Sequence, residues 1–375
     1  MALVLNEEQG MLRDAAREFS RKRSPVSALR KLRDEDSADG FDSAVWQQMV
    51  ELGWAGILIP EQYGGVEFGC QGMGVVMEEC GRSLVASPLM SSAVLCASAL
   101  NGLGSAAQKS SLLPKVATGE LLLALALEES AHHAPFAIKS TATKADNAYI
   151  LNGSKQFVID GHVADKLIVT ANLGGGEDLR LFLVDAKAAG LTVNRTIMVD
   201  SRNAANIAFE NVSAEMLGAA DAAEDVVKAL DRVLDIGRVA ISAEMLGCAR
   251  EAFDRTLAYL KEREQFGVVI GSFQALKHRA AEMFSELELA QSVVMGALSA
   301  LDDQTDNAAQ LASLAKCRLS ETLRLVTNEA VQMHGGIGMT DEHEIGFFMK
   351  RARVCENMLG NAAYHRNRYG LLGGY

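Results

Sequence analysis

Proline, aromatic residues, paired cysteines, long apolar runs and surplus positive charge are all scarce in this chain, and each scarcity closes off a class of protein. Of 375 residues only 5 are Pro and 6% are aromatic. Little Pro beside abundant Ala, Leu, Glu and Met favours helix. The six cysteines, Cys70, Cys80, Cys96, Cys248, Cys317 and Cys355, form no C-x-x-C pair. Their scatter points to no zinc site, and their apolar contexts suit buried thiols of a reducing compartment. The longest apolar runs, such as Leu121–Leu127, are far short of the roughly 20 residues of a membrane span. Met1–Glu18 is charged and amphipathic without the apolar stretch of a secretory signal. Lys and Arg number 36 against 48 Asp and Glu, a net charge of -12, which repels a polyanion such as DNA. A soluble cytoplasmic protein without metal, membrane or nucleic acid is expected, with room for a local basic patch holding one phosphate-rich cofactor.

What is present changes its period twice. From Asn6 to about Thr118 apolar residues fall at helical spacing, as in Leu12, Ala15, Ala16, Phe19 and in Trp46, Met49, Val50. Glu61–Gly65 interrupts as a turn, and helix resumes over Gly72–Gly81 with Glu78 and Glu79 expected on the wet side. From about Glu120 the pattern alternates. Leu121–Leu127 is a compact apolar run; Tyr149 and Leu151 alternate, then Phe157 and Ile159, around a turn at Asn152-Gly153. Leu167, Val169, Ala171, then Leu181, Leu183, then Ile207, Phe209 continue the alternation, with Gly174-Gly175-Gly176 as a loose hairpin loop. From about Ala222 helix returns in four long segments, Val227–Glu262, Phe273–Leu301, Ala308–His334 and Glu344–Arg368. The reading is an α+β chain: an N-terminal helical domain (1–119), a central antiparallel β-sandwich or barrel domain (120–221) and a C-terminal four-helix bundle (222–375).

Two segments carry chemical promise. Arg263-Glu264-Gln265-Phe266-Gly267 ends the first bundle helix, and its Arg offers a fork that matches two phosphate oxygens. Gln332-Met333-His334-Gly335-Gly336-Ile337-Gly338 ends the third; its glycines allow close backbone approach to a nucleotide, and Gln332 offers an amide. Each alone also reads as an ordinary helix end.

Together with Ser272-Phe273-Gln274 between them, the two segments resemble the acyl-CoA dehydrogenase family, and the resemblance extends along the chain. Gly53–Gly56, Ile59–Gly65 and Glu78–Arg82 are similar to its N-terminal domain, Asn152–Lys155 and the stretch to Gly161 to its central domain, and Leu234–Arg238 to the opening of its bundle. The resemblance implies FAD between bundle and strand domain, with a neighbouring subunit touching its adenosine half in a dimer-of-dimers or homotetramer-like assembly. Carried over singly, Arg263, Phe266 and Gln274 fit pyrophosphate and adenine contacts, and Gln332, Gly335 and Gly336 those made across the dimer. Phe157 matches the aromatic beside the flavin, and Glu129 the best-preserved part of the flavin-edge loop. Asp235 and Arg238 fall on the substrate side, with an acyl-CoA as substrate and electron-transfer flavoprotein as acceptor.

The departures fall where the chemistry is. Removing a proton alpha to a thioester needs a carboxylate base, and the flavin takes the hydride. The family's usual base is a Glu directly before a Gly, which here is Leu359 before Gly360; a minority place it before an Arg on the first bundle helix, which here is Gly237 before Arg238. Glu244 shares that helix face seven residues on, about 10.5 Å along the axis, and Glu356 is read as facing solvent or an ion-pair partner. Ile159 replaces a hydroxyl that usually bonds flavin, and Glu128–Pro135, with His132 and His133, replaces the family's Thr-Glu-Pro loop. Three readings follow: the base-lacking subunit of an α2β2 heterotetramer, an active homo-oligomer with Glu244 as relocated base, or a catalytically silent scaffold.

Overall fold

The computed structural model describes residues 4–146, 148–218 and 223–375. The helices are α1 (Glu7–Arg23), α2 (Val26–Asp34), α3 (Ser43–Glu51), α4 (Gly69–Ser83), α5 (Ala97–Leu103) and α6 (Ala106–Ala117). The strands follow as β1 (Leu123–Ala126), β2 (Thr141–Ala145), β3 (Ala148–Ile159), β4 (Lys166–Leu173), β5 (Asp178–Asp185), β6 (Leu191–Ile197) and β7 (Asn203–Met216). Then come α7 (Ala223–Glu262), the short strands β8 (Glu264–Gln265) and β9 (Val268–Val269), α8 (Gln274–Asp302), α9 (Ala308–His334), α10 (Ile345–Asn357) and α11 (Ala362–Leu372). Capping boxes start α1 at Asn6 and α6 at Ser105, each side chain satisfying a backbone N–H left over by the first turn. Among the described residues no helix is long and apolar enough to cross a membrane.

The chain forms two compact units, and neither is contiguous. One contains Met1–Glu35, Cys70–Val85 and Arg238–Tyr375; the other contains Asp36–Gly69 and Ala86–Gly237. These units cut across the division into three proposed from periodicity, whose 221/222 boundary lies outside the described residues.

In the helical unit α4 crosses α7 at very close range. A Cβ on Gly81 would stand 2.1 Å from the Glu244 carbonyl oxygen, and one on Gly247 would stand 1.8 Å from that of Glu78. Any side chain at either position forces the helices apart. Glu79, expected on the wet side, is 1% exposed; Arg17 of α1 grips both its oxygens, at 2.7 and 3.0 Å. A carboxylate on an inward face is kept because α1 brings it a cation. Asp302 at the end of α8 accepts the Cys70 and Gln71 N–H groups at 2.6 and 2.9 Å and so caps α4. The fourth bundle segment, expected as one helix, breaks into α10 and α11. At the break Leu359 has φ +56° and Gly360 φ +102°, a left-handed excursion that apolar periodicity does not report.

In the other unit β4, β2, β3, β7 and β5 pair in a closed ring, with β1 added on β4 and β6 on β7. Closure removes edges. Most pairings are antiparallel, while β1–β4 and β2–β4 are parallel. Leu167, Val169 and Ala171 of β4 and Ile207 and Phe209 of β7 point into one core with Phe182, whose ring lies 5.3 Å from that of Tyr149. The Asn152-Gly153 turn does not form. β3 runs through it with a shift of register between Leu151 and Gly153, so the dipeptide makes a bulge rather than a hairpin. β2 instead pairs with the start of β3, from Ala145 opposite Ala148 to Thr141 opposite Asn152.

Candidate functional site

In the helical unit the two Gly-bearing motifs reach the same end of the bundle. The Tyr259 ring of α7 stacks on His334 of α9 with centroids 4.5 Å apart, and His343 lies 4.6 Å from His334 on another side. His334 Nδ1 donates to the Ala330 carbonyl at 2.7 Å. Burial lowers the basicity of both imidazoles, and Arg255 opposes their charging further. Arg263 follows Tyr259 by about one helical turn, and Gly335 follows His334 directly, so the stack locks the two motifs together.

Beyond that lock the side chains are turned outward. Arg263 is exposed. Phe266, between β8 and β9, is 92% exposed at φ +55°, touched edge-on by Phe273 with centroids 6.1 Å apart. An aromatic held in the left-handed region with almost no cover is a costly arrangement for a chain by itself. Gln274, at the start of α8, and Gln332 are exposed as well. Gly335 takes φ +64° and ψ −139°, a conformation essentially reserved for glycine. A Cβ on Gly336 would meet nothing within 4 Å.

Leu359, where the resemblance expects the base, can be placed. Leu359 is 8% exposed on the turn between α10 and α11. That turn is held by side chains: Lys316 Nζ of α9 donates to the carbonyls of Gly360 at 2.8 Å and Glu356 at 3.1 Å, and His365 Nε2 donates to that of Leu359 at 2.9 Å. Lys316 is fully buried, and burial pushes its ammonium down to about 8. Glu244 is 2% exposed, and each of its oxygens accepts from Arg351 of α10 at 2.9 Å. Glu356 pairs with Arg324 and Arg353 at 3.3 and 3.4 Å. Arg238 is buried with its guanidinium carbon 5.9 Å from the Tyr364 ring centre. A polar cleft of about 550 Å³ is also lined by this unit. Its Arg17, Arg82 and Arg255 are bound to Glu79, Asp254 and Glu344, so it reads as an ion-pair network.

In the strand unit Phe157 sits on a second bulge of β3, between Lys155 and Val158, at φ +51° and 49% exposed. Its N–H donates to Asn206 Oδ1 at 3.2 Å. Ile159 is half-buried on the same strand. Asp160 has φ +54° and accepts from Ser91 Oγ at 2.6 Å. Glu129 braces the loop after β1, accepting from the Lys139 and Ser140 N–H groups at 2.6 and 3.1 Å and from Lys155 Nζ at 2.8 Å. Burial works to raise the Glu129 carboxyl, but these donors outweigh it and hold it below its usual range. Burial pushes Lys155 down to about 8 despite that partner. In the loop itself His133 Nδ1 contacts the Glu128 carboxylate and His132 is exposed. Asp235 is 4% exposed.

Sequence reasoning missed Lys316, His365, Arg351, Tyr259 and His343. Lys316 left one signal: it stands on the stripe that buries Ala312, Leu319, Leu323 and Val326, where a cation must have partners.

Three families match the chain in order. They are described as acyl-CoA dehydrogenase N-terminal domain over residues 6–120, middle domain over 124–212 and C-terminal domain over 227–370. "Probable acyl-CoA dehydrogenase YngJ" of Bacillus subtilis is 32% identical over 98% of both chains. "Caffeyl-CoA reductase-Etf complex subunit CarC" of Acetobacterium woodii is 30% identical over 94% of both. Among solved structures, the "Tcur3481-Tcur3483 steroid ACAD G363A variant" superposes with a TM-score of 0.88 at 31% identity over 98% of both chains.

Proposed function

The chain belongs to the acyl-CoA dehydrogenase family, and from that premise we propose that it is a FAD-dependent dehydrogenase subunit whose catalytic base comes from a different, partner subunit. The observation that carries this is the state of the carboxylates. Leu359 and Gly237 occupy the positions where the resemblance puts the base, and Glu244 has both oxygens engaged by Arg351.

The outward-facing residues fit a flavin dinucleotide. Arg263 is an exposed guanidinium suited to a pyrophosphate. Gly335 and Gly336 leave space where a Cβ would meet no atom of this chain. Phe266 and Phe157 are exposed aromatics in strained backbone. In the helical unit Arg263, Phe266, Gln274, Gln332, Gly335 and Gly336 would hold the dinucleotide; Phe157 is the residue that matches the family's aromatic beside the flavin. Glu129, with its oxygens already engaged, supports the loop rather than the ligand directly. When bound, FAD supplies the hydride acceptor. The chain's own residues bind and orient, and none of the positions above removes the alpha proton.

The partner reading draws on the Tcur3481-Tcur3483 structure, whose name pairs two designations and carries the words steroid ACAD, and the acceptor reading on CarC, named as a subunit of a caffeyl-CoA reductase-Etf complex. We place the chain in an α2β2 assembly acting on a steroid or fatty acyl-CoA, with electron-transfer flavoprotein as acceptor. The test is the flavin spectrum of the purified chain, alone and after co-expression with a base-carrying dehydrogenase subunit, before and after adding acyl-CoA thioesters. Bleaching only in the co-expressed complex is expected. Brisk bleaching by the chain alone refutes the reading, and a colourless, inert protein in both preparations favours a silent scaffold.

A further inference from the structure

The turn between α10 and α11 is held more firmly than a helix connector requires. Leu359 stands at φ +56°, where a side chain with a Cβ is strained. Three carbonyls of the turn, those of residues 356, 359 and 360, accept from buried side chains. The donors, Lys316 and His365, are both fully buried. Lys316 reaches from the middle of α9, and among the described residues its ammonium bonds Ser320 Oγ at 3.4 Å and the two carbonyls, not a carboxylate. Burying a cation against neutral acceptors is expensive, and a loop that only joined two helices could meet those carbonyls with water at its surface. Strain together with an over-determined backbone marks a place where a side chain is being aimed.

We infer that Lys316 and His365 are positioning residues: they clamp the 356–360 turn in the shape that presents whatever side chain stands at 359, and the clamp has outlasted the carboxylate it serves. The inference rests on the reading of position 359 as an empty base seat. It adds that the seat remains built, so that a Glu placed there works at once, and works only while both donors are in place. His365 acts through its N–H on the Leu359 carbonyl, so an amide donor at 365 should substitute for it. Lys316 acts through two carbonyls, so an apolar side chain of similar length should fill its volume and release the turn.

The experiment uses the flavin-loaded protein in two arms. The first measures amide hydrogen exchange over residues 356–361 by mass spectrometry in wild type, Lys316→Met, His365→Phe and His365→Gln. Exchange should rise at least tenfold in the first two variants, concentrated at the Gly360 N–H, which bonds the Asn357 carbonyl, and the Met358 N–H, which bonds that of Val354 in the last turn of α10, and stay near wild type in His365→Gln. The second arm follows flavin bleaching by a panel of straight-chain, branched and steroid acyl-CoA thioesters in Leu359→Glu, with and without Lys316→Met. The single variant should gain bleaching, and the double should lose at least tenfold of that rate with thioester affinity and flavin content retained. Unchanged exchange in both Lys316→Met and His365→Phe overturns the clamp. Raised exchange without any gain from Leu359→Glu leaves the clamp standing and refutes 359 as a base seat instead. A gain that survives Lys316→Met overturns the positioning role.

Discussion

Glu244→Gln separates two roles for the one carboxylate that shares a helix face with an empty base position. In the structure Glu244 and Arg351 are each 2% exposed and joined by two bonds of 2.9 Å. Gln keeps the size and one acceptor but removes the charge, so buried Arg351 loses the carboxylate that holds it through two bonds. Breaking one side of a buried pair costs about 3–5 kcal/mol. At an unfolding entropy of about 2.1 cal/mol/K per residue, 375 residues give about 0.8 kcal/mol/K, so the melting temperature should fall by about 4–6 °C if the chain melts in one transition. Arg351→Met should cost a similar amount by taking both bonds from the buried carboxylate. The double variant should lose clearly less than the two together, since with both charges removed neither is left to miss the other. The assay is thermal unfolding of all four proteins followed by near-ultraviolet dichroism, with flavin bleaching by acyl-CoA measured on the same preparations. A Glu244→Gln protein that melts within a degree of wild type yet loses its bleaching refutes the structural role and makes Glu244 the proton acceptor.

Arg263→Ala should weaken flavin binding about 10- to 150-fold, the equivalent of one charge-assisted hydrogen bond worth about 1.5–3 kcal/mol, as read by titrating apoprotein with FAD. Gly336→Val should leave the melting temperature of the flavin-free chain unchanged, because a Cβ there meets no atom of the chain, while flavin content and the mass measured by light scattering both fall; full flavin at wild-type mass would reduce the Gly-Gly pair to a helix stop. Stability should depend on alkaline pH through Lys316 and Lys155, both pushed from 10.5 to about 8. Between those values the unfolded chain holds protons that the folded chain has released, so stability rises with pH through the window, by at most about 1.4 kcal/mol per pH unit for each group. Lys316→Met should remove that group's share of the slope in denaturant titrations from pH 7 to 10.5.

What the sequence made legible was what apolar period reports. α9 appears at the residues expected, Ala308–His334, and β4, β5 and β7 lie on the alternating runs. β2 and β6 went unread because their faces are largely wet: Thr143, Lys144 and Ala145 are exposed on β2, and pairing holds them, β2 within the ring and β6 along β7. The Asn152-Gly153 dipeptide misled because Gly next to Asn serves a bulge as readily as a turn, and only its strand partners decide. The α10–α11 break was invisible because its cause, Lys316 and His365 on the turn's carbonyls, comes from α9 and α11. The motif residues of the candidate site were legible by resemblance. Their supports, Tyr259 against His334 and Arg351 on Glu244, were not, because ordinary residue types acquire those partners only through the fold.

The interleaving of the two units has a consequence during synthesis. α1, α2 and α4 leave the ribosome early, yet the rest of their unit begins only at Arg238, about 150 residues after Val85. At roughly 5–20 residues per second that is an interval on the order of ten to thirty seconds. Through it Glu79 lacks nothing, since Arg17 is already made, but the glycine face that receives Glu244 and the arginine that pairs with Asp254 have no counterpart. The strand unit has its last segment by Gly237 and can close first. A nascent chain stalled in this interval carries a finished barrel and three helices still lacking the rest of their unit, and chaperone capture or proteolysis at that stage falls on α1, α2 and α4.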